Sequence, residues 1–420
     1  MDDDLIDSAN LSLTRRSLLP GTGFFYPDSL DEQRAEERTR EAVTDAETVV
    51  IADGDADGMG SVALIREAYG AAVDVATFEE AIADRLAGED PATEDQDEAT
   101  DAESDAASDD TEPTVDAGVE TAVASSVAFV GAGPHSLGDA LERVGEYMDD
   151  DADVFVCDLC PDEYADVEDP LERVLDRAAT VRWFDHHQWD DDVAEAVRTA
   201  GVDLVVGDSD VECTTDVALR ALNYDFSDRF QELAAVTRDH DLWIKEDPRS
   251  DDLSDYAYWT DAEEYIAVVG AYGADLPESV EAYVEHRREE KDALIRRAVE
   301  RAEIKTVGPW TVGVTYGRCS QNEVAEALRE QGADAAVVVK PAGSASIRGS
   351  ESFEHCHEVA GMVNGGGHPK AAGCKPDIYD DMLDYANHWT SRGEACKRVI
   401  LAAFERVAER DHDTVSTAPK

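Results

Sequence analysis

The chain has 420 residues, and its 97 acidic residues against 36 basic ones give a formal net charge of −61. Acidic residues are spread along the whole chain, as in proteins of halophiles that accumulate salt. Molar salt shortens the Debye length to about 3 Å, so this charge does not exclude a nucleic-acid substrate. The 7 cysteines are scattered without the pattern of a disulfide framework, so we expect a cytoplasmic protein. No run approaches about 18 apolar residues, so we expect no membrane span.

Five short apolar segments predict the buried strands of one sheet. They are rich in valine and nearly continuous, which is typical of strands covered on both faces. The segments are ETVVIADG (47–54), SSVAFVGAG (125–133), DVFVCDL (153–159), TVRWFDHH (180–187) and GVDLVVGDS (201–209). Amphipathic stretches such as GSVALIREAYG alternate with them. This alternation predicts an α/β fold with a doubly wound, mainly parallel sheet.

An acidic segment interrupts this first domain, which we predict to cover residues 1–270. Residues 82–122 contain almost no large apolar side chains and are low in complexity. Such a composition cannot bury enough surface to offset the entropy of ordering. We therefore predict a disordered insertion over 82–122.

The C-terminal third of the chain predicts a second, smaller α/β domain. A helical connector is expected over 271–305, the second domain over 306–412, and a tail over 413–420. The strands are expected in PWTVGVTYG, ADAAVVVKPAG and SASIRGS, and the helices in QNEVAEALREQG and CKRVILAAFERVAER. The pattern again alternates between apolar runs and amphipathic stretches.

Carboxylates and imidazoles follow several of the predicted strands of the first domain. They are Asp53, Asp55 and Asp57 after the first strand, Asp158 at the third, Asp185, His186 and His187 at the fourth, and Asp239 and Asp241 after a helical run. Ligands of doubly wound sheets bind at the carboxyl ends of the strands, so we expect these groups to converge. Taken singly, each aspartate has the simpler interpretation of a turn or helix cap.

Converging carboxylates need a positive charge, and no Lys or Arg lies within the turn that holds the first three. A divalent cation is the economical solution. Oxygen ligands with one or two imidazoles suit Mn²⁺ best, with Mg²⁺ or Co²⁺ as alternatives. The number of candidate ligands predicts two ions, and a carboxylate such as Asp158 could bridge ions roughly 3.5–4 Å apart.

The order of these residues resembles the four motifs of the DHH phosphoesterase superfamily. The motifs are Asp55-Ala56-Asp57, Asp158, the triplet Asp185-His186-His187, and Asp239. The stretch NGGGHPKAAG, residues 364–373, resembles the glycine-rich signature of the companion DHHA1 domain. The resemblance covers nearly the whole chain beyond residue 48. It is closest to RecJ-like single-strand exonucleases, including archaeal ones, and to phosphodiesterases of nanoRNA and pAp.

The resemblance implies a role for each matching position. The metal ligands would be Asp53, Asp55, Asp57, Asp158, His186 and Asp239, with Asp241 as the alternative to Asp239. Asp185 would orient the histidines, and His187 would lie near the phosphate. The second domain would bind substrate through Arg348, Gly365, Gly366, Gly367, His368 and Lys370. The simpler interpretation is that the glycines make a tight turn and Arg348 is solvated.

These expectations combine into a two-domain, metal-dependent phosphodiesterase. It would hydrolyse single-stranded DNA or RNA, or short oligonucleotides, to nucleotides, with the substrate in the cleft between the domains. One alternative is a small-substrate phosphoesterase acting on nanoRNA, pAp or cyclic dinucleotides. Another is a non-catalytic DHH-type subunit of a replication or repair complex, and partner proteins of that kind are also compatible with an active enzyme. Each ligand position holds a residue able to bind metal, which favours an active enzyme.

Overall fold

The computed structural model describes residues 28–87, 125–133, 136–161, 163–341, 343–379 and 382–417. The chain forms two compact units that divide between Arg287 and Arg288, within the predicted connector 271–305. The limits of 1–270 and 306–412 for the two domains stay a prediction. Among the described residues, no helix has the length and apolar composition needed to cross a membrane.

All five strands predicted for the first unit are present and form one parallel sheet, which confirms the predicted fold class. The strands are β1 (Thr48–Ala52), β2 (Val127–Gly131), β3 (Asp153–Cys157), β4 (Thr180–Asp185) and β5 (Asp203–Val206), in the order β2-β1-β3-β4-β5. The register pairs Ala52 with Cys157, and Cys157 with Phe184. The residues that follow these strands therefore start at the same edge of the sheet.

Helices cover both faces of this sheet, as a doubly wound fold requires. They are α1 (Asp28–Val43), α2 (Ala56–Ala68), α3 (Glu79–Ala87), α4 (Leu137–Tyr147), α5 (Glu168–Leu175), α6 (Asp191–Ala200), α7 (Thr214–Ala221), α8 (Asp228–Asp241), α9 (Arg249–Trp259) and α10 (Ala262–Tyr272). Along β1, Val49 and Ile51 belong to one hydrophobic core, while Val50 and Ala52 belong to the other. Burial on both faces explains why the strands are almost purely apolar.

The start of the predicted disordered insertion is part of the folded unit. Residues 82–87 form the end of α3, where Ile82 is buried. Arg85 makes two hydrogen bonds to the buried carboxylate of Glu264, at 2.8 and 2.6 Å. These contacts hold α3 against α10, so the predicted disordered segment does not include 82–87. The remainder, 88–122, lies outside the described residues.

The second unit contains a mixed sheet of six strands. They are β6 (Glu303–Val307), β7 (Trp310–Tyr316), β8 (Ala335–Val339), β9 (Ala345–Gly349), β10 (Gly365–Gly367) and β11 (Ala371–Cys374), in the order β10-β11-β9-β8-β7-β6. Among the described strands of this unit, β7 and β8 are the one parallel pair. The helices are α11 (Glu278–Glu300), which spans the division between the units, α12 (Gln321–Glu330), α13 (Cys356–Gly361), α14 (Met382–Thr390) and α15 (Glu394–Thr417). The sequence predicted β7, β8, β9, α12 and α15.

Candidate metal centre

The turn after β1 contains the first three aspartates, and local hydrogen bonds hold two of them. Asp55 is the N-cap of α2, where its Oδ1 accepts the N–H groups of Asp57 and Gly58 at 2.9 and 3.0 Å. Oδ1 of Asp53 accepts the N–H of Gly54 at 2.6 Å. A Cβ at Gly58 would lie 2.3 Å from the carbonyl oxygen of Asp53, so the turn requires glycine there. These backbone donors thus partly offset the repulsion between the closely spaced carboxylates.

Asp57 points into the protein and is held by the first turn of α7. Its Oδ2 accepts the N–H of Thr214 at 2.6 Å, and its Oδ1 accepts the N–H of Thr215 at 2.7 Å. The first N–H groups of a helix have no partner within the helix, and they favour a negative charge. Asp57 is only 1% exposed, so these donors replace the solvent that the carboxylate has lost.

Asp158 directly follows β3 in a left-handed backbone conformation, with φ of 60°. A non-glycine residue adopts this conformation at a cost, and such strain is common at functional sites. Its buried Oδ1 accepts a hydrogen bond from the hydroxyl of Thr214 at 2.9 Å. Burial, followed by the charges of Asp57 and Asp55, raises the pKa of Asp158 well above its ordinary value. Ionisation of Asp158 beside these carboxylates is therefore unfavourable unless a positive charge compensates it.

The end of β4 places Asp185 and two histidines beside Asp158. Fully buried Asp185 bonds His187 Nδ1 at 2.7 Å and accepts the indole N–H of Trp189 at 2.6 Å. Burial opposes ionisation of Asp185, but the charge of His187 and these hydrogen bonds lower its pKa below the ordinary value. Burial also disfavours a charged His187, but the Asp185 carboxylate outweighs it and raises the pKa of His187 to about 9. Asp185 thus orients one imidazole and stabilises its charged form.

His186 lies between two carboxylates. Its Nε2 is 3.4 Å from Oδ2 of Asp241 and 3.7 Å from Oδ1 of Asp158. Neither Nδ1 of His186 nor Oδ2 of Asp241 has a hydrogen-bond partner among the described residues, although both atoms are buried. Buried polar atoms without partners are rare in proteins and call for an explanation. A cation bound by Nε2 of His186 and Oδ2 of Asp241 would satisfy this carboxylate oxygen.

The structure distinguishes between the two aspartates at the end of α8. Asp239 is buried, and its two oxygens accept the N–H groups of Glu246 and Asp247 at 3.0 and 3.2 Å. Its carbonyl oxygen accepts two further N–H groups of the same loop, from Ile244 and Lys245. Asp239 organises the loop after α8 and belongs to neither group of potential metal ligands among the described residues. The structure brings Asp241, the alternative, to His186.

The ligand atoms form two groups that share one histidine. Asp158, His186 and His187 make one group, and Asp57, His186 and Asp241 make the other, with the ligand atoms of each group within 4.8 Å of one another. Asp53 and Asp55 lie in the adjacent turn but belong to neither group. Among the described residues, the ion pairs of Asp158 and Asp241 all involve histidine. Carboxylate oxygens with imidazole nitrogens fit a divalent cation such as Mn²⁺, Mg²⁺ or Co²⁺.

Sequence reasoning missed Thr214 and Thr215, which hold Asp57 in place. The two residues are separated from Asp57 by 157 and 158 positions along the chain. The available signal was a pair of threonines that opens α7, the helix that follows β5 in the chain. The local pattern does not distinguish this pair from the other threonines of the chain.

The predicted substrate-binding residues of the second unit lie on neighbouring strands. Arg348 in β9 pairs with Ala371 in β11, and β11 pairs with the glycine strand Gly365–Gly367. A Cβ at Gly365 would lie 2.1 Å from the carbonyl oxygen of Gly373, so the close strand pairing excludes a side chain there. The glycines therefore form a β-strand, where the simpler interpretation expected only a turn.

Three side chains near this strand differ in their surroundings. Nε of Arg348 donates to Asn322 at 2.8 Å, and Nζ of Lys370 pairs with Glu351 at 2.8 Å. His368 is exposed in the turn between β10 and β11. The structure thus brings Arg348 to within one strand of the glycines, while Lys370 is partly neutralised by an acidic partner.

Comparison with known proteins finds similar structures but no matching sequence. No family model matches the chain, and no curated protein sequence matches it. A manganese-bound exonuclease RecJ matches with a TM-score of 0.48 and 14% identity, over 96% of this chain and 98% of that chain. A DHH domain from the s1p family of ribosomal proteins matches with a TM-score of 0.48 and 14% identity, over 90% and 95%. A pGpG-specific phosphodiesterase from Vibrio cholerae matches with a TM-score of 0.41 and 11% identity, over 84% and 98%.

The identities and TM-scores are too low to assign an activity to this chain. Its function has to be inferred from its own site.

Proposed function

We propose that this chain is a metal-dependent phosphoesterase of the DHH type. It would hydrolyse phosphodiester bonds in single-stranded DNA or RNA, or in short oligonucleotides, as RecJ-like exonucleases do. The observation that carries this proposal is the convergence of Asp57, Asp158, His186, His187 and Asp241 at one edge of the parallel sheet. The order of the motifs along the chain supports the same proposal.

Two cations would be bound side by side, with Asp158 as the shared carboxylate. Asp57, His186 and Asp241 would hold one ion, and Asp158 would take part in holding the second, with Mn²⁺ proposed ahead of Mg²⁺ or Co²⁺. When bound, such ions would supply the positive charge that polarises a phosphoryl group and favours attack by water. The proposal assigns no ligand role to Asp239, because its carboxylate already binds two backbone N–H groups.

The histidine that follows His186 would act on the substrate side. Asp185 engages Nδ1 of His187, so donation to a phosphate oxygen would come from Nε2. A buried carboxylate that fixes an imidazole in this way sets both its tautomer and its direction. Trp189, which donates to the second oxygen of Asp185, keeps that carboxylate from rotating. Asp185 is thus proposed as a positioning residue and His187 as the group that contacts substrate.

The second unit would bind the nucleic-acid backbone. Arg348, Gly365–Gly367, His368 and Lys370 are proposed to contact phosphate, with the guanidinium as the strongest donor. Asn322 holds Nε of Arg348, which would limit the freedom of the guanidinium. Substrate length and the choice between DNA and RNA are left to experiment.

The test is hydrolysis of end-labelled single-stranded DNA and RNA of several lengths, with pAp in parallel, in high salt with Mn²⁺. The variant Asp158→Asn keeps the shape of the side chain and removes its charge. Asp203→Asn is the matched control, since Asp203 begins β5 at the other end of the strand and pairs with Arg182. Shortening of long strands that is lost only in Asp158→Asn supports the exonuclease proposal.

Other outcomes change the proposal in defined ways. Turnover of dinucleotides or pAp alone would replace the long-strand substrate by a small one. An inactive wild-type protein that binds Mn²⁺ would contradict the enzyme proposal and favour a binding subunit of a replication or repair complex. Equal activity of Asp158→Asn and wild type would contradict the proposed site.

A further inference from the structure

The hydroxyl of Thr215 makes a contact that the proposed chemistry leaves unexplained. Its Oγ1 lies 2.6 Å from Oδ1 of Asp57, in addition to the N–H of Thr215 at 2.7 Å from the same oxygen. The hydroxyl is also 3.0 Å from the carbonyl oxygen of Asp57, but it has only one proton to donate. The shorter, charge-assisted bond to Oδ1 is the stronger of the two.

The number of lone pairs limits how Asp57 can bind a cation. An ionised carboxylate has roughly four lone-pair sites, two on each oxygen. The N–H and the hydroxyl of Thr215 occupy both sites of Oδ1, and the N–H of Thr214 occupies one site of Oδ2. Among the described residues, these donors leave Asp57 with a single site, on Oδ2.

Asp158 provides the contrast within the same cluster. Its only hydrogen-bond donor among the described residues is the hydroxyl of Thr214, at 2.9 Å from Oδ1. Asp158 therefore keeps lone pairs on both oxygens, which suits a carboxylate that bridges two ions. The two adjacent threonines thus affect the two carboxylates differently.

We propose that the Thr215 hydroxyl restricts Asp57 to coordination through one oxygen and thereby makes the site select against large cations. This inference rests on the proposed function, which places a divalent ion at Asp57. Mg²⁺ requires near-octahedral geometry with single-oxygen ligands, whereas Ca²⁺ accepts six to eight ligands and bidentate carboxylates. A carboxylate that cannot become bidentate removes a coordination mode that favours Ca²⁺.

The surroundings of Thr215 independently support the importance of its contact with Asp57. Gly60 lies within α2, where glycine is disfavoured relative to alanine. A Cβ at this position would lie 2.8 Å from Oγ1 of Thr215 and 3.6 Å from its Cγ2. Glycine therefore makes room for the hydroxyl at the place where it reaches Asp57. The otherwise unfavourable residue in α2 is explained by the contact with Thr215.

The test is titration calorimetry of the full chain with Mg²⁺, Mn²⁺ and Ca²⁺ separately, in high salt and without substrate. Thr215→Val keeps the shape of the side chain and frees one site on Oδ1, so the affinity for Ca²⁺ relative to Mg²⁺ is expected to rise about tenfold. Thr215→Ser keeps the hydroxyl and is expected to bind like wild type. Thr237→Val is the matched control, because Thr237 is buried and its hydroxyl has no partner among the described residues.

Gly60→Ala provides a second route if Thr215→Val does not fold. The added methyl displaces the hydroxyl without removing it, so the same rise in relative Ca²⁺ affinity is expected. A Ca²⁺ to Mg²⁺ ratio that is unchanged in both variants, with wild type binding metal normally, would overturn the inference and leave the proposed function intact. A wild-type protein that binds none of the three ions would overturn the proposed function itself.

Discussion

The change Asp239→Asn tests whether the two aspartates at the end of α8 have separate tasks. Asp239 is 6% exposed, and its oxygens accept the N–H groups of Glu246 and Asp247 at 3.0 and 3.2 Å. An amide retains one acceptor oxygen and turns the other position into a donor that faces an N–H group. Hydrogen bonds to charged groups contribute about 1.5–3 kcal/mol each, so losing one and weakening the other should cost about 2–4 kcal/mol.

The matched change Asp241→Asn should have the opposite profile. Oδ2 of Asp241 has no hydrogen-bond partner among the described residues. Burial and then the charge of Asp57 raise the pKa of Asp241, so its negative charge does not stabilise the metal-free fold. We expect the unfolding free energy without metal to stay within about 0.5 kcal/mol or to rise. The loss of Mn²⁺ affinity should be at least about 10- to 100-fold, the range seen when an outer partner of a ligand is changed.

The assay combines urea unfolding in EDTA with Mn²⁺ titration calorimetry, both in the same high salt. Asp239→Asn should lower the unfolding free energy, and its folded fraction should keep most of its affinity for Mn²⁺. Asp241→Asn should keep the unfolding midpoint and lose the affinity. The reasoning is refuted if Asp239→Asn retains its stability and loses Mn²⁺ binding while Asp241→Asn does the reverse.

Three further changes probe the scaffold of the first unit. Gly58→Ala places a Cβ 2.3 Å from the backbone oxygen of Asp53, and no side-chain rotation relieves this clash. Urea unfolding should therefore show a free energy of unfolding lower by about 1–3 kcal/mol, and a urea midpoint above that of wild type would contradict this. Arg66→Met leaves the carboxylate of Glu263 without its partner at 2.6 Å. Arg66 is buried but Glu263 is 24% exposed, so the cost should be about 1–3 kcal/mol, and a variant as stable as wild type would show that the pair is dispensable. The hydrogen bond from His240 and the charge of Lys245 lower the pKa of Asp251. The contribution of Asp251 to stability is therefore present above the unfolded pKa of about 3.9 and is lost as the pH falls through the folded pKa. Asp251→Asn should therefore melt below wild type at pH 7 and approach it under acid conditions, and a difference in melting temperature that does not depend on pH would exclude this linkage.

Local patterns predicted the strands of the first unit well. Buried parallel strands are recorded in the sequence as continuous apolar runs, because both of their faces are covered. The same rule placed Asp158 and the segment from Asp185 to His187 at the end of their strands. The sheet of the second unit was predicted less completely. Its missed strands, β6, β10 and β11, are a charged edge strand and two short, glycine- or alanine-rich strands without an apolar run.

Composition alone extended the predicted disordered insertion too far towards the N-terminus. The end of α3 has the sequence IADRLA, in which Ile82 is buried and Arg85 contacts the folded unit. Arg85 is held by Glu264, which lies 179 positions further along the chain. A window of local composition cannot detect such a partner.

The sequence by itself determined the parallel sheet and the set of carboxylates and histidines that follow its strands, since periodicity and strand ends are local properties. Only the tertiary structure decided that Asp241 reaches His186 while Asp239 holds a loop, because two aspartates separated by one residue of a helix point in different directions. The tertiary structure alone also determined that Thr214 and Thr215 occupy lone pairs of Asp57. That contact depends on where α7 packs against α2, and the packing of distant segments is a property of the whole fold.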